Sequence, residues 1–149
     1  MPRITARNRK TGLLPAQRLK MDAILAPMRN NSRRMISMVK LWLPVLLCMG
    51  LIFYCSTITG GTFKKIMPFQ DVIFHFFAYM ILCLFFSRAI RNNSLGMTAK
   101  KLILFTVLFA LVYGATDEWH QVFVPNRTPS LMDLFIDGLG GFAGSLFHR

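Results

Sequence analysis

Residues 102–127 read LILFTVLFALVYGATDEWHQVFVPNR. Leu102 to Thr116 carry no charge and run straight into Asp117 and Glu118, before the chain turns at Pro125. With its polar end included, the run approaches the roughly 20 residues that a membrane-crossing helix needs. A charged side chain at the centre of such a helix costs roughly 2.5–3.5 kcal/mol and less near the interface, so ionisable groups there mark function by default. The stretch thus predicts a membrane helix ending in a functional acidic pair.

Working outward, similar runs lie at about Leu41 to Thr57, Val72 to Ile90 and Leu131 to Phe147. The predicted fold is an all-α membrane protein, four transmembrane helices in an up-down bundle. Composition agrees, because 54% of the 149 residues are hydrophobic, above the roughly 45–50% apolar content of soluble domains. The formal charge of +12 is distributed unevenly. Residues 1–40 hold ten of the eighteen cations, and the second connection adds Arg88, Arg91, Lys100 and Lys101. The first connection has only Lys64 and Lys65, and the third only Arg127. The positive-inside rule then places both termini in the cytoplasm. With membrane spans present, that bias explains the basic excess without a nucleic-acid partner, and none is expected.

Two regions are expected: residues 1–39, a basic and disordered cytoplasmic tail, and residues 40–149, the membrane domain. The tail carries Arg3, Arg7, Arg9, Lys10 and further cations with no lasting apolar period, a composition that favours disorder and contact with anionic lipid. A second reading sets the translation start at Met35 or Met38, directly before the first span. In that span Trp42 and Tyr54 suit the two interfaces, and Pro44 is expected in the first turns, where a missing N–H matters least. Cys48, Cys55 and Cys83 show no paired spacing and read as small apolar residues. Gly138, Gly140, Gly141 and Gly144 in the fourth run predict close helix packing, with a homo-oligomer as the other outlet for such a face.

Helical spacing gathers the polar residues. Asp71, His75 and Tyr79 recur every four residues and share a face. Asp117 joins His120 and Gln121 if the third helix continues to Gln121, and Asp133 and Asp137 stand one turn apart. On an up-down bundle these groups meet at the outer ends of three helices. Asp71 and Asp133 also suit helix starts, as Ser130 to Asp133 resembles a capping box. Asp117 and Glu118 lie at a helix C-terminus, where the macrodipole disfavours anions, and Asp137 lies a turn beyond the cap, so these three carry more functional weight. Arg127, between Pro125 and Pro129, is the natural counter-charge, either for a ligand anion or as a tie to the helix ends. His75 can serve as proton carrier, metal ligand or hydrogen-bond donor.

Two segments resemble the VanZ-like family of small bacterial membrane proteins, named for a member associated with teicoplanin resistance. Asp71, His75 and Tyr79 are similar to its Asp-x-x-x-His-x-x-x-Tyr helix. Asp117-Glu118-x-x-Gln121, Pro125-Asn126-Arg127, Asp133, Asp137-Gly138 and Gly140 to Gly144 resemble its signature. The resemblance covers about Leu41 to Phe147. The chain departs from the pattern at Val72, where Lys is common, at Asp137, where Asn is common, and at Asn126, where Gly is common.

The resemblance implies a cell-envelope protein of the bacterial cytoplasmic membrane whose outward-facing site binds or modifies a lipid-linked or surface component, lowering teicoplanin susceptibility. Asp117, Glu118, His120 and His75 are the catalytic candidates. Arg127, Gln121, Asp71, Tyr79, Asp133 and Asp137 are the candidates for substrate binding. Two alternatives stay open. One is a metal-dependent hydrolase or transferase in which a divalent cation relieves the clustered charge, although no dedicated metal motif is present. The other is a non-enzymatic partner protein whose polar groups order the helices.

Overall fold

The computed structural model describes residues 15–58, 70–93 and 96–147. Among them are four helices and no strand: α1 (Pro15–Thr57), α2 (Gln70–Asn93), α3 (Ala99–Gln121) and α4 (Leu131–Leu146). The first three are long and apolar enough to cross a membrane. At 16 residues, α4 is about 24 Å long, short of the roughly 30 Å hydrocarbon layer.

The chain forms two compact units, residues 1–39 and 40–149. In the first, residues 15–39 are helical, which corrects the expected disordered tail over that stretch. Pro15 at the first helical position and the strong helix formers Ala16 to Met21 supply the local propensity that net charge and composition obscured. Residues 16–37 are exposed throughout, so this helix is held by its own backbone rather than by a buried face. The early start also moves Pro44 from the expected first turns to the interior of α1. Residues 1–14 of the expected tail lie outside the described residues.

In the second unit, α4 lies against both α2 and α3 because its glycines remove the side chains that would hold the helices apart. A Cβ on Gly140 would stand 2.5 Å from the Phe76 carbonyl oxygen, and one on Gly144 would collide with that of Met80. On the α3 side, a Cβ on Gly141 would stand 2.6 Å from the Ala110 Cβ. Such approach is how helices associate where lipid removes any hydrophobic advantage.

By contrast, α1 is attached through long side chains. The Tyr113 hydroxyl donates to the Met49 carbonyl at 2.6 Å, and Trp42 meets Phe86 edge-on with ring centroids 6.0 Å apart. Phe86 in turn stacks on Phe109 at 3.9 Å, joining α2 to α3. The interior holds Val45, Tyr79, Leu82 and Ala110, but also Ser87, Thr106, Asp117, Gln121 and Asp137. Outside are Leu46, Leu47, Phe74, Phe77, Phe105 and Val112. Polar groups inside and large apolar groups outside are the arrangement a bilayer selects.

Candidate functional site

The alternating helices bring the C-terminal ends of α1 and α3 to the same end as the N-terminal starts of α2 and α4. The α3–α4 connection closes that end. Helical-type turns continue from α3, with Val124 N–H donating to the Gln121 carbonyl at 3.1 Å and Arg127 N–H to the Val124 carbonyl at 3.2 Å. Asn126 lies between them in the left-handed region at φ 60°, a conformation that asparagine tolerates better than most residues. Ser130 caps α4, its Oγ accepting from Asp133 N–H at 3.3 Å.

Continuation of α3 to Gln121 places Asp117 and Gln121 one turn apart on a buried face. Gln121 Nε2 donates to Asp117 Oδ2 at 3.2 Å, whereas Asp117 Oδ1 is buried without a hydrogen-bond partner. Glu118 is also buried and takes the Ser130 backbone N–H on Oε2 at 2.6 Å, tying the end of α3 to the start of α4. This bond answers why an acid stands at a helix C-terminus. The donor comes from the start of the next helix, whose N-terminal dipole favours a carboxylate.

On α2, His75 reaches across to α4. Its Nδ1 lies 2.9 Å from Asp137 Oδ1, and Asp137 is fully buried. The carboxylate accepts, so Nδ1 carries the proton. One turn deeper, Tyr79 lies parallel to His75 with ring centroids 6.3 Å apart. Its hydroxyl is buried and has no partner. The Asp137 carboxylate itself fits because α3 has Gly114 opposite, where a Cβ would stand 2.6 Å from Asp137 Oδ2. Gly114 was absent from the sequence-derived candidates. A glycine within an apolar helix, at the depth of an acid on another run, was the only available signal.

Beside this cluster lies a cavity of about 660 Å³. Asp71, His75, Tyr79, Asp117, Gln121, Arg127 and Asp133 line it, together with Ser56 and apolar groups including Leu51, Phe74 and Ile81. At 1.5 Å per residue, Ile81 is about 16 Å along α2 from its start, a depth of about half the thickness of a bilayer's apolar layer. Two candidates are placed differently. His120 turns toward α1, 4.4 Å from Phe53 by ring centroids, and does not line the cavity. Arg127 lines it, yet its guanidinium donates to the Ile58 and Cys55 carbonyls, each at 3.4 Å. It therefore closes the last turn of α1, where orphan carbonyls attract a cation. Gly138, Gly140, Gly141 and Gly144 are buried within the bundle.

No curated protein and no solved structure matches the chain. A family model described as VanZ/LLP1 matches residues 41–149, the whole of the bundle from the start of the apolar part of α1. Together with three helices able to cross a bilayer, that match makes the chain a membrane protein of the VanZ/LLP1 family.

Proposed function

We propose that the protein binds an amphiphilic envelope component, its polar head among Asp71, His75, Asp117 and Asp133 and its apolar chain along Leu51, Phe74 and Ile81. The observation that carries this reading is a cavity lined by Asp71, His75, Asp117 and Asp133 towards the helix ends and by Leu51, Phe74 and Ile81 among its apolar groups. In this reading all four helices cross the cytoplasmic membrane with both termini inside, as the distribution of Lys and Arg favours. The cavity then opens at the outer surface. Sequestering or modifying a surface component there would lower teicoplanin susceptibility, the trait attached to the family by its resemblance.

The test is complementation of a deletion strain, followed by lipid composition and teicoplanin susceptibility. Wild type should restore both, whereas Asp117→Asn should accumulate normally and restore neither. Full complementation by Asp117→Asn would reject the binding reading. A second reading, in which the polar groups order the helices for a non-enzymatic partner, is favoured by the Glu118–Ser130 tie. It predicts that Glu118→Gln abolishes accumulation itself.

A further inference from the structure

We infer that His75, Glu118 and Asp133 form a site for a divalent metal ion, with an open coordination position facing the cavity. The inference deepens the binding reading above by saying how an acid-lined cavity accepts an anionic head. Three helices contribute one ligand each. A ring nitrogen of His75 and carboxylate oxygens of Glu118 and Asp133 all lie within 4.8 Å of one another. Three donors spread evenly at about 2.1–2.2 Å from one ion stand about 3.6–3.8 Å apart, so the ligands need to close by up to about 1 Å, within the reach of side-chain rotation.

Three features favour a cation at this point over a bare cluster of acids. Asp137 accepts the Nδ1 proton of His75, which leaves the Nε2 lone pair free, and a carboxylate holding the far side of an imidazole is the usual support of a metal-bound histidine. The Glu118 carboxylate is held in place by the Ser130 N–H at Oε2 and by Gln121 Nε2 at Oε1, 3.5 Å away, contacts that leave each oxygen a further lone pair for an ion. Asp117 is 3% exposed, lines the same cavity as His75 and Asp133, and its Oδ1 has no partner. A buried carboxylate oxygen beside other acids is stabilised by a cation or by a proton, and the Arg127 guanidinium is engaged by α1 carbonyls.

One imidazole with two carboxylates lies between the all-oxygen sets of Ca²⁺ and Mg²⁺ and the nitrogen-rich or sulfur-rich sets of Zn²⁺, which suits Mn²⁺. The remaining coordination positions take water or an anionic oxygen. The ligand class that follows is an amphiphile with a phosphate head, which the acids alone would repel and the ion would hold.

The test uses the full chain in lipid nanodiscs, freed of metal by EDTA and titrated with Mn²⁺ while the signal of the free ion is followed by electron paramagnetic resonance. Expected is about one Mn²⁺ per chain, displaced by Zn²⁺, with affinity lowered by at least about tenfold in Asp133→Asn and in Glu118→Gln and unchanged in Asp22→Asn. Circular dichroism confirms folding, and Asp133→Asn keeps the Ser130 cap, so one variant remains informative if Glu118→Gln fails to fold. Absence of bound Mn²⁺ and Zn²⁺, or equal binding by wild type and both variants, overturns the inference. Photolabelling by a long-chain alkyl phosphate separates the two readings. Labelling that is unaffected by EDTA in a chain that binds no metal sinks the metal site and spares the cavity reading. Tight Mn²⁺ binding without labelling upholds the metal site and sinks the cavity reading.

Discussion

Gly114 on α3 and Asp137 on α4 share one space: a Cβ on the glycine would stand 2.6 Å from the carboxylate Oδ2. The absent side chain of one helix is where the next helix keeps the acid that orients His75. Gly114→Ala is therefore expected to lower stability by about 1–3 kcal/mol through overpacking. In an Asp137→Ala background the same change should cost less than about 1 kcal/mol, because the coupled partner is gone. Thermal unfolding of the four proteins in detergent measures the cycle.

The His75–Asp137 pair gives a second expectation. Asp137→Asn retains an oxygen that can accept from Nδ1 and should cost about 1 kcal/mol, whereas Asp137→Ala strands a partly buried imidazole donor and should cost about 2–3 kcal/mol. Equal losses in the two variants, read by thermal unfolding, would mean that the hydrogen bond does not hold α2 to α4.

Where a glycine faces backbone, the neighbour cannot move aside. Gly140→Ala and Gly144→Ala, opposed by the Phe76 and Met80 carbonyls, are each expected to cost about 2 kcal/mol or more. Gly138→Ala meets only the end of the flexible Leu111 side chain at 2.9 Å and should cost less. Gly50 has nothing within 4 Å of its added Cβ, so Gly50→Ala should be neutral or gain up to about 1 kcal/mol in helix propensity.

Removal of one oxygen tests how α1 is attached. Tyr113→Phe deletes the 2.6 Å bond to the Met49 carbonyl and is expected to cost about 0.6 kcal/mol and at most about 1.7 kcal/mol, the average and the maximum for single hydrogen bonds between membrane helices. Protease susceptibility of the intact chain should rise near the end of α1, with α2 to α4 keeping their protection.

Ser130 separates stability from the site. Ser130→Ala loses the cap bond to Asp133 N–H, costing about 0.5–2 kcal/mol. Its backbone N–H still serves Glu118, so Mn²⁺ affinity should stay within about twofold of wild type even as the unfolding temperature falls.

Local patterns carried most of the helical architecture. The apolar runs at Leu41–Thr57, Val72–Ile90, Leu102–Thr116 and Leu131–Phe147 lie within or within a residue of α1 to α4, because an apolar segment of that length has few other ways to satisfy its backbone in lipid. Period-four spacing likewise put Asp71, His75 and Tyr79 on one cavity wall. The helical state of residues 15–39 was obscured, since charge density argued for disorder while the propensity of Ala16 to Met21 argued against it, and no buried face was available to decide between them.

Sequence alone determined that acids and imidazoles crowd the ends of apolar helices, because span length and residue period are properties of each segment by itself. Tertiary structure decided who meets whom: His75 takes Asp137, Glu118 takes Ser130, Arg127 takes the carbonyls of α1, and His120 turns away to Phe53. Those pairings depend on the rotation and depth of one helix against another. Contacts such as Gly140 against Phe76 and Gly114 against Asp137 set both, and no single segment contains them.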